Sequence, residues 1–264
     1  LYETGDGLPK VIVPKGRRRH LWKQEHLQSM HLGPNKNVHT LSKYYWWPTM
    51  KKDVHEWFKE CQVCEIGNAK RNRAHRQYRC VEGSVPRSRW GMDFIGVADK
   101  GVLGCIDKDS LWVELFALPD RTTDRVVKCI TDGICFRHGI PAEITSDHAR
   151  EFISKAYKQC ARQLQFRTGT TMGHNAAGNS TIESFWQYFN KCLRIMTDDE
   201  YQHFDRHLQQ IAWGWNTTHS QSLSVLPFEV MTGMAPRTVA ATSVTNRVAD
   251  DVEVNLSNIK VATQ

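Results

Sequence analysis

Three carboxylates stand where their charge asks for an explanation. Asp93 sits inside the apolar run Trp90-Gly91-Met92-Asp93-Phe94-Ile95, Asp147 closes the run Ile144-Thr145-Ser146, and Glu183 opens a helical pattern after 35 intervening residues. Burying an ionised carboxylate is costly unless a cation or hydrogen-bond donors compensate it. Three of them converging on one point suggest a divalent-metal site. Hard cations such as Mg²⁺ or Mn²⁺ take oxygen ligands and keep waters and substrate phosphates beside a few carboxylates. Two such ions can activate an attacking oxygen and stabilise a leaving oxygen, which is what phosphodiester transfer needs. Asp107, Glu114 and Glu151 are rival acids that read as surface or structural residues. A nucleophilic serine enzyme is poorly supported, because no Gly-x-Ser-x-Gly elbow occurs.

A second group carries different chemistry. Four residues separate His26 from His31, 29 separate His31 from Cys61, and two separate Cys61 from Cys64. Two imidazoles and two thiolates suit a closed tetrahedral Zn²⁺ site, whose binding free energy helps to fold a small domain. His20 and His39 lie close by in sequence, so the histidine half of the set stays open. Cys80, Cys105, Cys129, Cys135, Cys160 and Cys192 read as small buried apolar residues. The scattered cysteines are not a disulfide framework and suggest a reducing compartment.

The elements that must position these groups fall into a sequence of regions. Residues 1–16 form a leader with turn formers and a strand-like Val11-Ile12-Val13. Residues 17–68 are helical in short pieces, with too few apolar residues to form a core unaided, so zinc is the expected staple. Residues 69–88 are a basic linker in which Lys70, Arg71 and Arg73 could lie along phosphates. From residue 89 to 235 the texture is mixed α/β: strands over 90–97, 102–107 and 111–118, a helix over Thr122–His138, and a strand ending at Asp147. A helix over Ser154–Leu164 and a strand over Phe166–Thr171 follow. The helix bearing Glu183 is expected to start at Ser180 or Thr181 and to bury Ile182, Trp186, Phe189, Leu193 and Met196. Gln187, Asn190 and Arg194 continue the Glu183 side, with Lys191 beside them, as candidate DNA contacts. Further helices fit Glu200–Trp215 and Ser224–Gly233, and residues 236–264 form a tail.

The charge is uneven. Residues 1–80 hold 16 Lys and Arg against 7 Asp and Glu, so the front carries +9 and the remainder −2 of the net +7. A basic front beside a carboxylate-bearing rear suits a polyanion held in one place and cut in another. No run of 18 apolar residues and no secretory pattern occurs, so a soluble protein with no membrane partner is expected. Starting at Leu1, the chain reads as a piece of a longer precursor.

Taken together, these residues resemble the integrases of retroviruses and LTR retrotransposons, and those of the gypsy type most closely. The resemblance runs over about residues 10 to 235. It rests on the His26, His31, Cys61, Cys64 pattern followed by Asp93, Asp147 and Glu183. It rests also on Tyr44-Tyr45-Trp46-Trp47-Pro48, His138-Gly139-Ile140-Pro141, Ser146-Asp147 with Glu151-Phe152, and Pro227-Phe228-Glu229. The resemblance implies a zinc-binding helical domain before a ribonuclease-H-like core with a five-stranded mixed sheet. It implies an enzyme that trims the 3′ ends of element DNA and joins them to host DNA, with Asp93 bridging two metal ions and Asp147 and Glu183 each holding one. Double-stranded DNA and further copies of the chain would be its partners, and the nucleus, reached through a cytoplasmic particle, its place of action.

The sequence departs from the family where it approaches Glu183 through His174-Asn175-Ala176-Ala177-Gly178-Asn179, with neither the usual His-Pro nor the Gly-Gln. No third, basic domain is visible in residues 236–264. Two other functions compete: a zinc-containing nucleic-acid-binding protein decayed or domesticated from an integrase, and a ribonuclease-H-like nuclease without joining activity.

Overall fold

The computed structural model describes residues 2–3, 9–67, 85–147, 149–170, 176–220 and 223–238. The chain divides into two compact units, one reaching Gln62 and joined by the described residues from Ala235 on, the other running from Val63 to Met234. The linker residues Lys70, Arg71 and Arg73 and the tail beyond residue 238 lie outside the described residues.

In the first unit β1 (Tyr2–Glu3) pairs antiparallel with β2 (Pro9–Ile12), and β2 pairs parallel with β3 (Tyr45–Trp46). The leader is therefore built into a small sheet, and the Val13 N–H extends the pairing by donating to the Trp46 carbonyl. Helices α1 (Lys15–Gln28), α2 (Pro34–Tyr44), α3 (Met50–Lys59) and α4 (Gln62–Gly67) complete the unit and the segment after it. Pro34 opens α2 at its first position, where a missing N–H costs nothing. An apolar cluster of Val13, Trp22, Leu41, Tyr45, Trp47, Met50 and Val54 binds the strands to the helices. Few aliphatic residues were available, and large aromatic rings supply the burial instead.

The second unit is organised by a five-stranded mixed sheet. β4 (Arg89–Val97), β5 (Lys100–Asp107) and β6 (Val113–Leu118) form an antiparallel meander, and β7 (Glu143–Ser146) and β8 (Arg167–Thr170) add in parallel on the other side of β4. The order across the sheet is β6-β5-β4-β7-β8. β5 is buried along nearly its whole length, as befits a strand covered on both faces. The crossover from β6 to β7 is a helix from Thr123 to His138 whose middle, Cys129–Cys135, is π-helical; we label its ends α5 (Thr123–Lys128) and α6 (Phe136–His138). Gly133 in the π segment has no room for a side chain, since a Cβ there would stand 2.2 Å from the Phe116 ring. Gly139, at φ +92°, stops the helix.

Between β7 and β8 lie α7 (Arg150–Ile153) and α8 (Lys155–Leu164), the latter capped by the Ser154 side chain, which accepts the Tyr157 N–H. The long α9 (Ala176–Arg194) follows β8, and α10 (Asp198–Gln202), α11 (Leu208–Asn216) and α12 (Pro227–Thr232) close the unit.

Two expectations need correction. The helix bearing Glu183 begins at Ala176, not at Ser180 or Thr181. The helix expected over Glu200–Trp215 is three pieces, α10, a 3₁₀ turn over Phe204–His207, and α11. A capping box between Thr197 and Glu200 starts α10. Phe204, Leu208 and Ile211 are nevertheless all buried, because the 3₁₀ turn keeps their spacing on one side.

Candidate functional site

The sheet register places the first two carboxylates side by side. β4 and β7 run parallel with Met92 opposite Ser146, so the next step along both strands sets Asp93 beside Asp147. Neighbouring strands lie about 4.8 Å apart, which brings the two side-chain stems together. Asp147 stands just beyond the last ladder residue of β7, where the chain turns, and its Oδ1 accepts the Ala149 N–H at 3.1 Å.

The third carboxylate arrives on α9, which packs against β4 and β5. Glu183 is exposed at the edge of that packing face, between the buried Ile182 and the buried Phe185 and Trp186. One turn after it, the Trp186 indole N–H donates to Asp93 Oδ2 at 2.9 Å. Asp93 Oδ1 accepts the backbone N–H of Phe94 at 2.8 Å. Burial is the main influence raising the Asp93 carboxyl above its ordinary value. The two hydrogen bonds pull it down, and the neighbouring charges of Asp147 and Glu183 push it up again. Asp93 thus feels the charge of both other acids.

Two of the rival acids are engaged elsewhere. Asp107 is buried and accepts the N–H and hydroxyl of Ser110, closing the turn between β5 and β6. Glu114 accepts the Trp112 indole N–H at 2.9 Å and lies 2.8 Å from the His138 imidazole. Both tie the sheet to its surroundings.

On α9, positions 183, 187, 190 and 194 recur at steps of four and three and share a face. Gln187 and Arg194 are exposed and Asn190 is half-buried. Lys191, one turn beyond Gln187, is buried, at 6% exposure.

His26, His31, Cys61 and Cys64 come together, with one potential ligand atom from each lying within 4.8 Å of all the others. His26 Nε2 is 3.0 Å from His31 Nδ1, and Cys61 Sγ is 3.4 Å from the same Nδ1. A tetrahedral zinc ion at ordinary bond lengths would set nitrogens about 3.3 Å apart and nitrogen and sulfur about 3.6 Å apart, so the donor set fits the ion. Cys64 is placed by its short tether to Cys61, and His31 by a left-handed turn, with φ +50° at Met30 and +57° at His31. His20 and His39 are not in the group.

Sequence reading missed the support behind these ligands. Asn37 Oδ1 lies 3.0 Å from His26 Nδ1, and Asn37 Nδ2 donates to the Ser29 hydroxyl at 3.1 Å. Held that way, Asn37 makes Nδ1 the protonated nitrogen of His26 and frees Nε2 for a metal. The Trp22 ring stacks on His26 at 4.8 Å between centroids and restricts it further.

Among the described residues, no helix is long and apolar enough to cross a membrane.

Comparison with known proteins finds a match for each of the two regions. Residues 13–70 match the integrase zinc binding domain, and residues 84–176 match the integrase core domain, a stretch that holds Asp93 and Asp147 and stops short of Glu183. The chain is 22% identical over 232 residues to the Pro-Pol polyprotein of feline foamy virus, covering 85% of this chain and 20% of that protein. It is 23% identical over 234 residues to Gypsy retrotransposon integrase-like protein 1 of Macaca fascicularis, covering 86% of this chain and 44% of the relative. The chain therefore spans less than half the length of either relative. In fold it is similar to a chain of the simian T-cell lymphotropic virus intasome solved in complex with PP2A regulatory subunit B56 gamma. The TM-score is 0.55 at 15% identity, covering 84% of this chain and 74% of that one. The mixed five-stranded unit has the ribonuclease-H-like fold of integrase cores. The chain carries an integrase zinc-binding domain followed by an integrase core domain, and its homologues include retroviral Pol polyproteins and a gypsy retrotransposon integrase-like protein.

Proposed function

We propose that this chain is a retrotransposon integrase that trims the 3′ ends of element DNA and transfers them into host DNA, with Asp93, Asp147 and Glu183 holding Mg²⁺ or Mn²⁺. The observation that carries this reading is the juxtaposition of Asp93 with Asp147 across β4 and β7, with both Asp147 and Glu183 charged neighbours of Asp93. Bound divalent ions would activate an attacking oxygen and stabilise the leaving one. The chain's own task would be to hold three carboxylates, carried on three separate elements, around one site. Asp93 would be able to offer both of its oxygens to a cation. A carboxylate has about four lone-pair directions; Phe94 and Trp186 each take one, on different oxygens. One direction remains on each oxygen.

Gln187, Asn190 and Arg194 continue the Glu183 face and are proposed to track a DNA backbone, with Lys70, Arg71 and Arg73 gripping phosphates before the core. The zinc group fixes the small helical domain. Two DNA ends must be joined together, so a multimer acting on chromosomal DNA in the nucleus belongs to the same reading.

The test is a joining assay with a duplex copied from the end of the parent element. The wild-type chain should give joined product with Mg²⁺ or Mn²⁺ and none with chelator, and Asp147→Asn should give none while still binding DNA. Full joining by Asp147→Asn without metal dependence would refute the mechanism. Salt-sensitive DNA binding with no cutting or joining under any divalent ion would favour a decayed or domesticated binding protein, and hydrolysis without joining a simple nuclease.

A further inference from the structure

Trp186 reads in the sequence as one more apolar residue on the packing face of its helix. In the structure it has a second occupation. Its indole N–H is the donor to Asp93 Oδ2, and its ring, 8% exposed, lies against Gly104, the strand partner of Asp93. A Cβ at Gly104 would stand 2.6 Å from Cη2 and 2.7 Å from Cζ2 of that ring. Two separate features therefore serve one contact: a residue without a side chain beside Asp93, and a large, flat, apolar ring that carries a donor. Leucine or phenylalanine would keep an apolar body there and offer Oδ2 no donor. Tryptophan has a donor and no acceptor, so it can hold only the ionised or acceptor side of the carboxyl.

We propose that Trp186 is a positioning residue for the divalent-cation site. It holds the Asp93 carboxylate in a single rotation, with one lone-pair direction on each oxygen kept for a cation. It also links that orientation to the turn of α9 that carries Glu183, three residues earlier. One hydrogen bond then sets the first carboxylate and the helix bearing the third as a unit. Gly104 is the socket that permits it. This proposal rests on the metal reading of the three carboxylates.

The experiment is calorimetric titration of Mn²⁺ into the full chain, which reads affinity without reference to turnover. Asp93→Asn marks the loss of the site. Trp186→Phe keeps a buried ring and removes the N–H; Mn²⁺ affinity is expected to fall about 10- to 100-fold, as when the outer partners of metal ligands are removed. In the joining assay the same variant should lose kcat with the KM for DNA unchanged. If phenylalanine leaves too large a void for the unit to fold, β-(3-benzothienyl)alanine at position 186 keeps the bicyclic shape and replaces N–H by sulfur, and the same loss is expected. Wild-type Mn²⁺ affinity in the folded sulfur analogue or in Trp186→Phe, with binding lost in Asp93→Asn, overturns the role of Trp186 alone. Absence of Mn²⁺ binding by the wild-type chain overturns the role of Trp186 and the metal reading together.

Discussion

Gly104→Ala should destabilise the second unit through Trp186, whose ring supplies the three atoms nearest to the added Cβ. The added Cβ would sit 2.6 Å from an aromatic carbon, where ordinary contacts begin at 3.4 Å, and the ring cannot retreat freely because it is buried and hydrogen-bonded to Asp93. Overpacking of this kind costs about 1–3 kcal/mol. Restricting a strand glycine to alanine returns roughly 0.5–1 kcal/mol. The net loss centres on about 1 kcal/mol, a fall of roughly 2–4 °C in the melting temperature of a unit this size.

Thermal unfolding of four proteins isolates the cause: wild type, Gly104→Ala, Trp186→Phe and the double variant. A phenyl ring does not reach the positions of Cη2 and Cζ2, so alanine at 104 should cost much less in the Trp186→Phe background, with a coupling of about 1 kcal/mol or more. Additivity within about 0.5 kcal/mol would mean that the two residues do not press on each other. An unchanged melting temperature for Gly104→Ala would refute the socket outright.

The remaining expectations concern the rest of the molecule. Metal analysis after dialysis should give one zinc per chain, lost in Cys61→Ser; equal zinc in that variant would shift the ligand set towards His20 or His39. Asn37→Leu should weaken zinc about 10- to 100-fold in competition with a chromophoric chelator, because His26 loses the partner that fixes its tautomer; unchanged affinity would make Asn37 a packing residue only. Burial pushes the thiol of Cys135 up to about 11 and that of Cys192 to about 12, and raises Cys105 as well. Raised values mean that the fold favours the protonated thiols. Their contribution to stability is complete below the unfolded value near 9 and is lost progressively as pH climbs from there through the raised ones. Alkylation of the folded chain at about pH 8 should therefore spare these three, and their early modification in a peptide map would contradict it.

Much of the fold could be read from pattern because the pattern reports burial. The apolar runs around Trp90, Val102 and Val113 became neighbouring strands, and the buried Phe204, Leu208 and Ile211 held their spacing even where the helix broke. The zinc group was legible for a different reason: thiolates two residues apart and paired imidazoles are scarce enough to stand out singly. Trp186 and Asn37 were not legible as supports. A hydrogen bond across 93 residues leaves no local period, and an indole on an apolar face looks like packing whether or not its N–H has a task. The available signal was Gly104, a glycine amid Val102, Leu103, Cys105 and Ile106 in a strand interior, where it weakens the strand unless another group approaches closely. The start of α9 was misplaced because Ser180 and Thr181 resemble caps, while Ala176 and Ala177, good helix formers, had already begun the helix.

The central proposal is that Asp93, Asp147 and Glu183 hold divalent ions for phosphoryl transfer. Anomalous diffraction from crystals of the chain soaked in Mn²⁺ addresses it directly. Two peaks about 3.5–4 Å apart, with Asp93 touching both and Asp147 and Glu183 one each, are the expected result. Peaks elsewhere, or none beside Asp93 in crystals that bind Mn²⁺ at other sites, would contradict it.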